Sequence, residues 1–130
     1  MSCMVTTITQ RESPRFDTPG GNTTTPVASA RVGAKEVLVI HQEQLPGGTN
    51  LMHAKSREAV VVVLAGTVDV VTATETLSLA KGDAALIAPH TVHRLSNTGE
   101  SPAQWLVITP ANVEFTTPKG EPIEPIWART

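Results

Sequence analysis

The chain has 130 residues and a formal net charge of -2 at pH 7, which fits one domain and offers no basic stripe for nucleic acid or an anionic membrane surface. Its one cysteine, Cys3, excludes an intramolecular disulfide. The sequence shows neither a signal-peptide pattern nor an apolar run of the roughly 20 residues that span a bilayer. We therefore expect a soluble cytoplasmic protein that binds neither nucleic acid nor membranes.

The pattern of the chain is typical of an all-β domain. Residues 1–30, which include "TPGGNTTTPVAS", predict an irregular arm that can contribute an outer strand. Strands are then predicted over residues 35–45, 58–66, 67–73, 76–80, 84–88, 93–97 and 103–110, with turns at "PGGTN" and "KGD". No window combines helical spacing of apolar residues with caps at both ends. This succession of short strands and turns indicates a β-sandwich or barrel.

One predicted strand differs from the others in its pattern. The segment "AVVVVL", residues 59–64, is apolar on both faces, whereas a strand with one face in water alternates apolar and polar residues. We therefore expect a second sheet or a second subunit to cover its outer side, and we predict a homodimer with an isologous interface. Trp105 and Trp127 are expected to fill the core or an interface.

Residues 82–97, "GDAALIAPHTVHRLSN", resemble the second conserved motif of the cupin family. In that motif a Gly is followed by a Pro, a second Gly, a His and an Asn at fixed spacings. Gly82, His93 and Asn97 occupy their positions without a gap. Ala88 replaces the Pro of the motif, and His90 replaces its second Gly.

Residues 47–66, "GGTNLMHAKSREAVVVVLAG", resemble the first cupin motif, which carries two His, one Glu and two flanking Gly. Gly47, His53 and Gly66 fit this motif. Lys55 stands where the second His belongs. Ala59 stands where the Glu belongs, and Glu58 misses that position by one residue. The first motif is therefore degenerate.

The resemblance implies a single-domain cupin, a double-stranded β-helix or jelly-roll barrel, because both motifs occur in the right order with a short hairpin between them. We assign the barrel to residues 31–115 and a C-terminal extension to residues 116–130. In metal-binding cupins the motif side chains hold Fe, Mn, Ni, Cu or Zn, and only His53 and His93 match them here. A third ligand would be Glu58, if a bulge shifts the strand register, or His90.

Three functions remain open at this stage. The first is small-molecule binding with acid/base chemistry of the isomerase, epimerase or cyclase type, in which His53, Lys55 and His93 form a titratable cluster in the barrel. The second is a metal-dependent oxygenase, and the third is a ligand-binding cupin without catalysis. His41 and His90 are candidate substrate-pocket residues. The apolar composition predicts a cavity of Val, Leu, Ile, Ala and Met with few polar anchors.

Overall fold

The structure, a computed structural model, describes residues 4–125 and residue 127; Cys3 lies outside this part of the chain. The strands are β1 (Phe16–Thr18), β2 (Asn22–Ala28), β3 (Val37–Gln44), β4 (Ala54–Lys55), β5 (Ala59–Ala65), β6 (Thr67–Val71), β7 (Thr76–Ala80), β8 (Ala84–Ile87), β9 (Arg94–Ser96), β10 (Ala103–Pro110), β11 (Phe115–Thr116) and β12 (Pro122–Ile123). Two single 3₁₀ turns, at Gln10–Glu12 and Ala30–Val32, are the helical segments within the described residues.

The larger layer is a six-stranded antiparallel sheet in the order β1-β2-β3-β10-β5-β8. Strand β10, the last long strand of the chain, lies between β3 and β5 and pairs with both. The β5–β10 pairing shifts by one residue beside Gln104. Gly66 follows at φ 71°, and a Cβ at Gly66 would stand 2.6 Å from the Pro102 carbonyl oxygen. Only glycine fits this close approach of two backbones.

The second layer consists of two three-stranded sheets, β7-β6-β9 and β12-β11-β4. Two isolated antiparallel bridges join them, one between Thr49 and Ser96 and one between His53 and His93. The second bridge has two backbone hydrogen bonds of 2.9 Å, one in each direction. The two sheets therefore act as one curved layer facing the six-stranded sheet, which is the double-stranded β-helix that the motifs predict.

The core lies between the layers, and strand alternation selects its members. Along β5, Ala59, Val61 and Val63 are at most 1% exposed, because every second side chain of a strand points to the same face. Strand β10 contributes Trp105, which is fully buried and whose Nε1 donates a 2.8 Å hydrogen bond to Oε1 of Gln42. The indole thus has the polar partner that a buried Trp needs.

The predicted all-β class is confirmed, and β3, β5, β6, β7, β8, β9 and β10 occupy the intervals predicted for strands. Residues 16–28, in the interval assigned to an arm, form β1 and β2, and β2 pairs with β3 along most of its length. The assigned barrel boundary at residue 115 falls within β11. In the described part of the chain, no helix is long and apolar enough to cross a membrane.

The outer face of the six-stranded sheet is apolar around β5 and β8. Cross-strand pairing aligns Leu86, Val60, Ile108 and Val39 in one row across four strands. Leu86 is 68% exposed. This row contains no charged side chain, so an uncharged surface matches it best. The same face of a second copy of the chain meets that requirement, and we propose a two-fold homodimer through this face.

A charge on this face is expected to prevent dimerisation. Leu86→Lys places an ammonium in the apolar row, and its desolvation on association costs more than the apolar contact contributes. Leu77→Lys is the matched control, because Leu77 is also exposed, at 50%, but lies on β7 in the other layer. Light scattering should give a dimer for the wild type and Leu77→Lys and a monomer for Leu86→Lys. A monomeric wild type at micromolar concentration contradicts the proposal.

Candidate functional site

A cavity of about 400 Å³ opens between the two layers. Its wall is mainly apolar and includes Ile40, Leu95, Val107 and Phe115 from four different strands or strand ends. The polar side chains in the wall are Asp17, Thr18, Asn22, Thr24, Gln42, Asn50, His53 and Lys55. An apolar chamber with a few polar groups is the usual form of a small-molecule site. A cavity is thus present in the described structure, but its wall differs from the predicted one, since it contains no Ala or Met and includes Phe115, Trp127 and eight polar side chains.

His53 and Lys55 enter the cavity from the start of β4. They are two residues apart in extended backbone, so both side chains leave the same face. The Lys55 Nζ atom lies 3.0 Å from Nε2 of His53, a hydrogen-bond distance. Lys55 is 6% exposed. The residue that replaces the second motif histidine therefore points inward and forms a pair with the first.

The histidine rings form a second contact pair. The ring centroids of His53 and His93 are 4.6 Å apart, with the planes at 48°. The His53 Nδ1 atom donates to the Leu51 carbonyl at 2.7 Å, and the His93 Nδ1 atom donates to the Thr91 carbonyl at 2.8 Å. Because a carbonyl only accepts, the neutral form of each ring carries its proton on Nδ1 and a lone pair on Nε2.

His93 lies behind His53 and is not part of the cavity wall. It is 1% exposed, and its Nε2 atom has no hydrogen-bond partner within the described structure. Its ring contacts that of His53, and its backbone forms the bridge between the two small sheets. His93 therefore supports His53 from the core side.

Burial shifts the protonation equilibria of all three groups. Desolvation, followed by the charge of Lys55, lowers the pKa of His53 to about 3 and that of His93 to about 4. Desolvation lowers the pKa of Lys55 to about 8. Both histidines are thus neutral at pH 7, and a substantial fraction of Lys55 is a neutral amine near pH 8. Lys55 is the titratable group of this cluster in the physiological range.

Aromatic rings flank the amine. Phe115 at the start of β11 has its ring centroid 5.7 Å from the Lys55 Nζ atom, and Trp127 packs edge-on against Phe115 with 5.4 Å between centroids. Phe115 also lies 6.5 Å from the ring of His53. The C-terminal segment therefore contributes the aromatic part of the wall. A ring face near the ammonium offsets a part of its desolvation.

A buried amide network lies beneath the polar part of the wall. The Gln44 Nε2 atom donates to Oδ1 of Asn22 at 2.9 Å and to the Leu95 carbonyl at 3.1 Å. The Asn97 Nδ2 atom donates to the carbonyls of Gln44 and Ser101 at 3.0 and 2.8 Å. Asn97, which matches the second motif, therefore has a structural role. The hydrogen bonds of its side-chain amide hold the backbone at Gln44 and at Ser101 in place.

Two residues assigned to the pocket from sequence lie elsewhere. His41 is on the face of β3 opposite to Ile40 and Gln42, which line the cavity, and its Nε2 atom lies 3.1 Å from Oε1 of Gln104. His90 is exposed and adopts φ 64° at the position where the motif has Gly. Its backbone N–H donates to the Lys55 carbonyl. We correct both assignments: alternation turns His41 outward, and the turn holds His90 in solvent.

The described side chains do not supply the usual ligand set for a metal. Glu58 is exposed and precedes the inward-facing Ala59, so alternation directs it away from the cavity, and no bulge reverses its direction. His53 and His93 present two neutral Nε2 atoms, but Lys55 Nζ lies at hydrogen-bond distance, 3.0 Å, from that of His53. Among the described residues, no group of three His, Cys, Asp or Glu side chains can hold a metal ion. The assignment of Glu58 or His90 as third ligand is therefore corrected.

Several residues that line the cavity were not predicted from the sequence. Thr24 and Asn22 come from β2, Gln42 from the opposite face of the strand that carries His41, and Phe115 from the end of the assigned barrel. The alternation along β3 could have indicated Gln42, since both faces of this strand carry polar residues and either face can border a cavity. Residues Asn22 and Thr24 carried no signal in a segment rich in turn-forming residues.

Comparison with known proteins agrees with this architecture. The sequence profile of the cupin domain matches residues 40–109, which is more than half of the chain. The site and the fold thus define a small β-helical barrel with a ligand cavity. The chain belongs to the cupin domain family. A search of curated proteins gives no significant match.

Three solved structures illustrate the similarity in fold. The polyketide cyclase RemF from Streptomyces resistomycificus is 20% identical with a TM-score of 0.74, over 85% of this chain and 82% of the other. KdgF from Halomonas sp. is 17% identical with a TM-score of 0.71, over 84% and 96%. A cupin-superfamily sugar phosphate isomerase from Silicibacter pomeroyi is 17% identical with a TM-score of 0.70, over 92% and 97%.

The neutral histidines make stability depend on pH in the acidic range. As the pH falls from about 6.5 towards about 4, the unfolded chain binds protons at His93 that the folded chain does not bind, so stability decreases. His93→Gln should flatten this part of the profile by on the order of 2 kcal/mol. Urea unfolding at a series of pH values measures it. His90→Gln, a change at an exposed histidine, should keep the full slope, and equal slopes in the two variants contradict the assignment.

Restoring the motif histidine should create a metal site. Lys55→His places a third imidazole where the amine now contacts Nε2 of His53, and a neutral nitrogen lone pair replaces an ammonium that repels cations. We expect the affinity for Ni, Zn or Fe(II) to rise about tenfold or more, with loss of native activity. Calorimetric titration of untagged protein measures the affinity, and Lys55→Gln is the control. A wild type that binds one metal per subunit tightly, with no gain in the variant, contradicts this prediction.

Proposed function

We propose that this chain binds a small metabolite in the barrel cavity and catalyses acid/base chemistry on it, of the isomerase, epimerase or cyclase type. One observation carries the proposal. Lys55 is a buried amine that shares a 3.0 Å hydrogen bond with His53 at the wall of an apolar cavity of about 400 Å³. A buried cation is retained at a free-energy cost, which is typical of functional sites.

The two side chains have different roles. The pKa of Lys55, about 8, lies close to the working pH, so the amine can take a proton and its conjugate acid can return it, the condition for efficient general acid/base catalysis. His53, whose pKa of about 3 keeps it neutral, accepts a hydrogen bond from Lys55 and fixes the direction of the amine. His93 holds the ring of His53 in place and acts as a positioning residue.

The chemistry that fits this pair is proton transfer at a carbon next to a carbonyl group. The neutral amine removes the proton, and the resulting ammonium returns it to another carbon or to the other face of the same carbon. Ile40, Val107 and Phe115 make this part of the wall apolar, and apolar surroundings strengthen charge interactions. The polar wall residues Asn50 and Gln42 are available to orient the substrate.

The similar structures support the reaction class by analogy of fold. A polyketide cyclase and a sugar phosphate isomerase share the barrel with this chain. Fold alone does not carry an activity from one protein to another. The support for catalysis in this chain therefore rests on the Lys55–His53 pair.

The other two functions predict different results. A metal-dependent oxygenase needs a third ligand beside His53 and His93, and Glu58 and His90 do not supply it. A ligand-binding cupin without catalysis needs the cavity but not the buried amine. Replacement of Lys55 by an apolar side chain of similar length would then leave ligand binding intact or improve it. The Lys55 variant thus discriminates between binding alone and catalysis.

Proton exchange in D₂O tests the proposal without knowledge of the natural substrate. The wild type should catalyse exchange of the hydrogens next to the carbonyl of a small neutral ketone such as cyclohexanone, followed by proton NMR. Lys55→Met and His53→Gln should reduce the rate about a hundredfold or more, the usual contribution of a general acid or base. Lys81→Met, at an exposed residue of the β7–β8 turn, should retain it. Equal rates in Lys55→Met and Lys81→Met contradict the proposal.

A further inference from the structure

The Lys55 amine has a set of neighbours that acid/base catalysis alone does not require. Within the described structure its Nζ atom forms a hydrogen bond with Nε2 of His53, and no carboxylate is paired with it. Lysines that act as plain charges are normally paired when they are buried. Here the amine is buried without an anion and faces an open chamber.

The His53 tautomer gives the amine a proton acceptor. Its Nδ1 atom is committed to the Leu51 carbonyl, so the Nε2 lone pair points at Lys55 Nζ. An amine that attacks a carbonyl carbon must lose protons as the bond forms, and Nε2 is placed to accept one. An unpaired, desolvated lysine beside such a base is the arrangement of an activated nitrogen nucleophile.

We infer that Lys55 forms an imine with an aldehyde or ketone bound in the cavity. This inference deepens the proposed function and rests on it, because the imine would be the species on which the proton transfer occurs. Once its nitrogen is part of the imine, Lys55 no longer acts as the base, and Nε2 of His53, 3.0 Å from Nζ, takes over the proton transfer. Three observations support the inference. The Nζ atom is buried at the cavity wall, it is hydrogen-bonded to Nε2 of His53, and no carboxylate among the described residues is paired with it.

The reaction balances without an added oxidant or reductant. The Nζ lone pair forms a bond to the carbonyl carbon, and the π electron pair of the C=O bond moves to oxygen. The two hydrogens lost from the neutral amine leave with that oxygen as one water molecule when the C–O bond breaks. His53 Nε2 relays the proton from nitrogen to oxygen. The product is an imine, and its protonated form acidifies the neighbouring carbon.

The same wall limits the class of carbonyl compound. Lys55 is the one cationic side chain among the described residues that line the cavity, and imine formation uses its nitrogen as nucleophile. No second cation of that set is left to hold a phosphate, and phosphate sites normally combine several donors with positive charge. The substrate class is therefore a largely hydrocarbon, neutral aldehyde or ketone. Leu51 at the wall is 77% exposed, which gives such a molecule an apolar contact on entry.

Reductive trapping tests the inference. Hexanal or cyclohexanone is mixed with the wild type near pH 7, and sodium cyanoborohydride reduces any imine to a stable secondary amine. Peptide mapping by mass spectrometry should locate the label on Lys55 in preference to the exposed Lys81 and Lys119 of the same chain. The expected preference is on the order of a hundredfold, since a pKa of about 8 leaves a much larger neutral fraction of Lys55 near pH 7 than the reference lysine pKa of about 10.4 would.

The variants separate a chemical role from a structural one. Lys55→Arg keeps the positive charge but cannot form an imine, so it should lose both the label and the proton exchange of cyclohexanone. Lys81→Met should keep both. His53→Gln should slow labelling at Lys55 while leaving the labelling of Lys119 unchanged. Thermal unfolding of each variant identifies one that has failed to fold, and the comparison with Lys119 in the folded wild type is independent of every variant.

The outcomes distinguish this inference from the proposed function. If cyclohexanone exchanges its protons but Lys55 is labelled no faster than Lys81 and Lys119, the imine is overturned and the acid/base function stands. If Lys55 is labelled preferentially and no exchange occurs, the imine stands and the acid/base function fails for this substrate class. Preferential labelling of Lys55 in the wild type, together with exchange that is lost in Lys55→Arg, supports both.

Discussion

The two backbone hydrogen bonds between His53 and His93 are the constraint on which the site depends. They join β4 to β9 and so make one layer of two small sheets. They also bring the two imidazoles to 4.6 Å from each other. Nδ1 of each ring donates a hydrogen bond to the backbone carbonyl two residues earlier in the chain. The backbone therefore determines the direction of both Nε2 atoms. The position of His53, and with it the contact between His53 and Lys55, therefore depends on the closure of the barrel.

Burial at this bridge explains the electrostatics of the cluster. One cation and two imidazoles share a space that water scarcely reaches, and the lowest-energy distribution leaves the imidazoles neutral and the charge on Lys55. A histidine in place of Lys55 would remove that charge, and a paired carboxylate would fix it permanently. The lysine keeps the cluster close to a change of protonation state at neutral pH. The first motif departs from the metal-binding pattern at two positions, Lys55 and Ala59, and among the described residues no group of three His, Cys, Asp or Glu side chains can hold a metal ion.

The sequence was sufficient to predict the barrel and the proximity of His53 and Lys55, but not the other residues of the cavity wall. The motif spacing of Gly47, His53, Gly66, Gly82 and His93 encodes a backbone path, and strand alternation then directs Lys55 inward. Side-chain direction outside the motifs depends on which face of a strand meets the other layer, which is a tertiary property. His41 illustrates this point, since both faces of β3 carry polar residues and only the fold selects between them. Strands β4, β11 and β12 have two residues each, which is too short to show the alternation of apolar and polar residues from which a strand is predicted.

The matched cupin interval, residues 40–109, does not contain the whole chamber. Asn22 and Thr24 precede it, and Phe115 and Trp127 follow it. His53 and Lys55 thus lie within the matched interval, whereas much of the cavity wall comes from the two ends of the chain. Both ends are attached to the matched interval by strand pairing, β2 with β3 and β11 with β4. A change in these terminal segments would therefore alter the fit of a bound molecule without replacing Lys55 or His53.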